Sequence, residues 1–171
     1  MATLIIPKNS YDTFDALKNV FQYISNGIKS IGLVGAQNML VNHSLEQAMA
    51  VNRYFYNKTE KKVIHFILSF AAHEYITPAD AFREGYNICN LLPEYQIKFA
   101  VHQDTNNLHI HFAINPISLI DGHKFYFDYG NLYDFVKGLR KIFEPYEIKI
   151  EYRFSDNSNN FMLSEHLNYT V

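Results

Sequence analysis

The sequence has no tryptophan and only one cysteine, Cys89, in 171 residues. A single thiol excludes a disulfide framework and any zinc module built on paired cysteines, so metal ligation falls to His, Asp or Glu. An excess of one charge is missing as well. Fifteen Lys+Arg against 17 Asp+Glu leave a formal −2, and no chain-wide positive field advertises a polyanionic partner. Long apolar runs are also absent. The longest, about Val63–Ala72, is interrupted by His65 and Ser69 and is far short of a membrane span. The opening Met1-Ala2-Thr3-Leu4-Ile5-Ile6-Pro7-Lys8 has no basic segment followed by a long apolar one. No address or anchor is read there, and a reducing, cytoplasmic setting without membrane insertion is expected.

What is present suits one packed domain. Hydrophobic residues make up 48% and charged residues 19%, enough apolar surface to bury and too little charge density for disorder. Aromatics reach 16% (14 Phe, 13 Tyr), and the eight histidines are the unusual feature. No internal repeat or low-complexity tract is visible.

The hydrophobic period changes along the chain, which signals mixed α and β. Leu4–Pro7 reads as a strand; Phe14, Leu17, Val20, Phe21 and Ile24 recur at helical spacing, with Gly27 as a stop. Gly27–His43 has no clear period, and Ser44 with Gln47 resembles a capping box opening a helix through Leu45, Ala48, Val51 and Phe55. Lys58–Lys62 is a charged loop. Val63–Phe70 reads as a strand with His65, Ile67 and Ser69 on one face and Ile64, Phe66, Leu68 and Phe70 on the other. Thr77-Pro78 opens a helix that ends at Pro93. Tyr95–His102 and Leu108–Asn115 flank the polar turn Asp104–Asn107, a hairpin signal, and Asp121-Gly122 makes a further turn before Lys124–Tyr129. Leu132, Phe135, Val136, Leu139, Ile142 and Phe143 mark a last helix. Glu147–Phe154 alternates like an antiparallel strand, with Ile148, Ile150, Tyr152 and Phe154 inward. Ser155–Asn160 reads as a polar linker.

The chemistry concentrates in the hairpin. His102-Gln103-Asp104 and Leu108-His109-Ile110-His111 spell H-x-D-x4-H-x-H, with Asn115 four residues further. Spacing of two puts His109 and His111 on one strand face. If the hairpin closes with Gln103 opposite Leu108, His102 sits across from His109 with Cβ atoms ~5 Å apart. Three imidazoles then converge as a facial metal site with open positions for water or substrate. Asp104 is placed to accept a ring N–H from a ligand histidine and fix its tautomer. An imidazole-only site favours Mn, Zn or Ni on affinity, with Mg in play through abundance.

The string His102-x-Asp104-x4-His109-x-His111-x3-Asn115 resembles the third motif of plasmid mobilisation relaxases, members of the HUH endonucleases. His65-Phe66-Ile67-Leu68-Ser69-Phe70, followed by Glu74, Thr77 and Pro78, is similar to that family's second motif and its sequel. Phe21-Gln22-Tyr23-Ile24 matches the first, so the resemblance runs from about Phe21 to Phe127. It implies an α/β (α+β), palm-like domain: a central, mostly antiparallel sheet with helices packed mainly on one face. The catalytic domain is expected over residues 1–155, with 156–171 a linker or tail. It implies metal-dependent nicking and rejoining of single-stranded DNA at a transfer origin, which begins conjugative mobilisation. In that scheme Tyr23 is the nucleophile and His102, His109 and His111 bind a divalent ion, Mn or Mg in use. Asp104 is the supporting partner or proton acceptor, Ser69 a phosphate contact, and Glu74 and Asn115 supporting residues. An accessory DNA-binding protein and a coupling protein are the partners such an enzyme implies.

Three rival readings stay open at this level. A replication initiator or single-strand transposase would use a tyrosine on a later helix, where Tyr129 and Tyr133 lie. A non-catalytic His-metal module would use none, and a metal phosphoesterase would use water. The basic clusters Arg53, Lys58, Lys61, Lys62 and Lys137, Arg140, Lys141 fit DNA contact and equally fit solvated surfaces.

Overall fold

The computed structural model describes residues 1–8, 11–30, 32–55 and 61–155. Lys58–Glu60 of the charged loop and the tail expected over 156–171 lie outside the described residues.

Strand β1 (Ala2–Pro7) leads to helix α1 (Phe14–Ile24), the one-turn α2 (Gly27–Ser30), strand β2 (Val34–Gln37) and helix α3 (Ser44–Tyr54). Strand β3 (Ile64–Phe70) and helix α4 (Pro78–Cys89) follow, then the hairpin of β4 (Gln96–His102) and β5 (His109–Asn115). Helix α5 (Tyr129–Phe143) and strand β6 (Ile150–Ser155) complete the described fold. The strands form one open sheet in the order β2-β4-β5-β3-β1-β6, antiparallel everywhere except between β1 and β6. This is the mixed α/β, mostly antiparallel architecture expected from the sequence.

The helices divide unequally over the two faces. α4 and α5 cover one face, packing Ala81, Ile88, Leu132, Phe135, Leu139 and Phe143 against the strands' apolar side chains. Phe112 lies at the middle of that core, stacked on Phe66 at 4.6 Å and on Phe99 at 5.6 Å between ring centroids. On the opposite face α1 and α3 bury a smaller cluster, Leu17, Val20, Phe21, Ile24 and Ala48, over Ala113 of β5. They cap only part of that face, and the histidines lie beside them.

Several local expectations are corrected. Ser44 is the first residue of α3 rather than its cap, and no capping box forms. Its hydroxyl donates to the Val41 carbonyl at 3.0 Å and accepts from the buried Lys98 ammonium at 3.0 Å, while the Gln47 carboxamide turns back to the Leu40 N–H at 2.7 Å. The box that does form is Thr77 with Asp80 at the start of α4. Gly27 opens α2 instead of only ending α1, and α4 stops at Cys89, short of Pro93. β6 starts at Ile150, runs through Ser155 and pairs parallel with β1, in the register Ala2 to Ile150 through Pro7 to Ser155. Alternation reports that one face is buried; it carries no information on the direction of the neighbouring strand. At this edge Phe154 is 36% exposed rather than inward.

Phe99 braces the back of the strand that carries His102, held by Phe82, Tyr86 and Phe112. A Cβ added at Gly85 of α4 would collide with the Phe99 ring. Gly85→Ala removes a helix glycine, which elsewhere would stabilise by up to ~1 kcal/mol. Here overpacking wins, and we expect a net loss of about 1–3 kcal/mol, read as a lower midpoint in a denaturant or thermal melt.

Candidate metal centre

β5 lies between β4 and β3, so its side chains on the less covered face meet neighbours from both sides. The registers set His102 opposite His109, His109 opposite Ser69, and Ser69 opposite Thr3, one row across four strands. In the next row His111 lies between Ala100 and Ile67. The three hairpin histidines therefore gather, with ring centroids 4.5 Å (His102–His111), 5.0 Å (His109–His111) and 5.5 Å (His102–His109) apart. One nitrogen from each lies within 4.8 Å of the others. His102 and His111 are buried, and His109 forms the rim with 12% of its side chain exposed.

Which nitrogens converge follows from what holds the others. His102 donates Nε2–H to the Ile24 carbonyl at 2.9 Å, a group left over at the end of α1 because the last helical carbonyls have no partner within the helix. Its Nδ1 is buried without a partner. His109 Nδ1 donates to the Asn107 carbonyl at 2.8 Å, which leaves Nε2 turned inward. His111 Nδ1 lies 3.0 Å from His65 Nε2, and His111 Nε2 is again buried without a partner. Burial first, and then the neighbouring imidazoles, pushes the His111 pKa far below the ordinary histidine value; burial also lowers that of His102. Both are neutral at physiological pH, the form that ligates a metal. Two orphaned buried ring nitrogens and a third beside them fit a divalent cation better than any arrangement of protons, since an unmatched buried donor would cost about 1–3 kcal/mol.

Tyr23 occupies the last turn of α1, with its ring 5.3 Å from His111 and 5.9 Å from His102 between centroids. It is 46% exposed and borders an open pocket of about 370 Å³ shared with Tyr11, His65, Ile67 and His111. The Lys29 ammonium of α2 lies 4.9 Å from the Tyr23 ring centroid and 3.0 Å from Asp104. The Asp104 carboxylate, and behind it the Tyr23 phenol, hold Lys29 above the ordinary lysine range; Lys29 in turn lowers the Asp104 pKa.

The other residues singled out in the sequence divide. Ser69 is half-buried in the histidine row. Asp104 is at the site, yet its carboxylate pairs with Lys29 and stays 3.6 Å from His109 Nε2, the nitrogen turned inward. The outer ring nitrogens of the three histidines lie instead against the carbonyls of Ile24 and Asn107 and against His65. Glu74 sits past the end of β3, paired with the Met1 amino group and, at 3.5 Å, with His73. Asn115 is fully buried under α3, where Asn52 donates to its carbonyl at 2.9 Å and its amide donates to Gln96 at 2.9 Å. Its polar atoms are engaged inside the protein, so it supports the sheet.

Sequence reasoning assigned no role to His65, Lys29 or Tyr11. The alternation of β3 already put His65 on the face of Ile67 and Ser69; the missing fact was the strand order, which brings β3 against β5. Lys29 lies in the stretch without a readable period.

Three imidazoles gathered on one hairpin, with a half-exposed tyrosine beside them, form a group that could hold a divalent metal ion. The family of relaxases described as MobA/VirD2-like, nuclease domain, matches residues 23–148. No curated protein and no solved structure matches the chain. The chain belongs to the MobA/VirD2-like relaxases. That membership brings DNA relaxation by nicking, binding of single-stranded DNA and dependence on a metal ion as family properties. Among the described residues no helix is long and apolar enough to cross a membrane.

Asn115→Ala leaves the Gln96 carbonyl and an Asn52 N–H without their partner in a buried setting. We expect a loss of about 1–3 kcal/mol, read as a drop in melting temperature.

Proposed function

We propose that the protein nicks one strand of DNA at a specific transfer origin through Tyr23, holds the cleaved end as a 5′-phosphotyrosine, and later rejoins it. The observation that carries this reading is the placement of a half-exposed phenol beside the partnerless nitrogens of His102 and His111. A phosphodiester resists an anionic attacker because of its own charge. His102, His109 and His111 would hold a divalent ion, Mn or Mg with Zn or Ni also suited to the ligands, and on neutral imidazoles it would keep its full positive charge to offset that of the non-bridging oxygens.

The chain's own groups supply the rest. Lys29, 4.9 Å from the Tyr23 ring centroid, stabilises the developing phenolate, and its partner Asp104, 3.0 Å away, is the acceptor toward which the phenolic proton is relayed. The Tyr23 oxygen bonds to phosphorus as the 3′-oxygen leaves with its electron pair and is protonated. The ester retains the bond energy, so rejoining needs no nucleotide cofactor. Ser69, in the histidine row, holds a phosphate oxygen. A second trough of about 440 Å³, lined by Lys8, Tyr11, Lys61, His65, Tyr126 and Phe154 among others, shares Tyr11 and His65 with the Tyr23 pocket. It suits single-stranded DNA leaving the site, with aromatic rings for bases and cations for phosphates; each stacked base is worth ~1–3 kcal/mol. The biological setting of this reading is conjugative mobilisation in a bacterial cytoplasm, with an accessory DNA-binding protein and a coupling protein as partners.

The downstream tyrosines are poorly placed for the same role. α5 packs on the opposite face of the sheet from the histidines, and Tyr129 and Tyr133 are exposed on it. With single-stranded origin DNA and Mn²⁺, Tyr23→Phe abolishes the covalent protein–DNA band on a denaturing gel, and Tyr133→Phe leaves it. The reverse pattern would assign the protein to the initiator or transposase mechanism, and release of a free 5′-phosphate with no adduct would assign it to hydrolysis by water.

A further inference from the structure

We infer that His65 is the positioning residue that fixes the tautomer of His111 and so completes the metal centre; the inference rests on the three-histidine reading of that centre. Each of the other two ligands has its outer nitrogen pinned by a backbone carbonyl, His102 by Ile24 and His109 by Asn107. Among the described residues no carbonyl takes that place for His111. The contact at its Nδ1 is the Nε2 of His65, at 3.0 Å, from the adjacent strand and from one residue pair further along the same face.

Two neutral imidazoles joined this way share one proton, and only two arrangements exist. If His65 donated, His111 would carry its own hydrogen on Nε2. That atom is buried with no acceptor and lies among the inward nitrogens of His102 and His109, so a donor would point where a lone pair is required. If His111 donates from Nδ1, its Nε2 lone pair is bare and aimed inward like the other two. His65 then carries its hydrogen on Nδ1, 3.4 Å from the Tyr11 hydroxyl, which closes the chain as acceptor. Outer hydrogen bonds of this kind orient a ligand ring, fix which nitrogen is free and raise ligand basicity. His65 is itself excluded as a fourth ligand by the same contact: its Nε2 faces the back of His111, and the pair lies nearly parallel with ring centroids 5.2 Å apart.

The test has two arms. In the intact metal-free protein, long-range ¹H–¹⁵N spectra report His111 protonated at Nδ1 and bare at Nε2; protonation at Nε2 would overturn the proposal. In the second arm Mn²⁺ binding is titrated calorimetrically. His65→Phe, which fills the site but accepts nothing, weakens Mn²⁺ binding about 10–100-fold. His65→Gln, which restores an acceptor near the Nε2 position, recovers most of it. Unchanged affinity in His65→Phe, or equal losses in both variants at unchanged melting temperature, contradicts the assignment. His102→Ala serves as the control that separates the two levels. If it retains Mn²⁺, the three-histidine centre itself is wrong; if it loses the ion while His65→Phe does not, only the positioning role fails.

Discussion

Three imidazoles can point their lone pairs at one place only if each has somewhere else to put its proton. That requirement organises this protein. The acceptors come from three separate parts of the chain: the end of α1 (Ile24), the hairpin turn (Asn107) and the neighbouring strand β3 (His65). The site therefore depends on the fold at long range, and none of the three ligands is oriented by its own strand alone. Burial strengthens the arrangement, because it keeps His102 and His111 neutral and makes a misplaced proton costly.

The sheet supplies rigidity and the less covered face supplies access. α4 and α5 seal the back with a phenylalanine-rich core directly behind the histidine strands. On the front, α1 has two duties: its apolar residues pack over Ala113, and its last turn delivers both the Ile24 carbonyl and the Tyr23 ring. The orientation of His102 and the placement of Tyr23, the proposed nucleophile, are thus coupled through one helix end. The net charge of −2 says little at this scale, since the local cation Lys29 lies beside Tyr23, the proposed nucleophile.

The hairpin and its facial histidines were legible because period-2 spacing and a polar turn settle the register without distant information; the structure has His102 opposite His109 as the sequence implied. The same local rule misled elsewhere. Ser44 and Gln47 have cap spacing, but Lys98 and Val41 engage the serine hydroxyl, a competition invisible in sequence. The regular alternation of Glu147–Phe154 reads as antiparallel, yet β6 lies parallel to β1. The histidine contact expected of Asp104 gives way to an ion pair with Lys29, which becomes a neighbour only after folding. Local periodicity carries which face a residue occupies; strand order and partner identity are global, and they decide what His65, Lys29 and Asn115 do.

The most direct measurement is anomalous scattering from a crystal of this protein soaked in Mn²⁺. The account predicts one ion bound by His102 Nδ1, His109 Nε2 and His111 Nε2, with the Tyr23 hydroxyl facing its open side and His65 behind His111. An ion held elsewhere, or by His65, or those three rings turned away from a common centre, would contradict it.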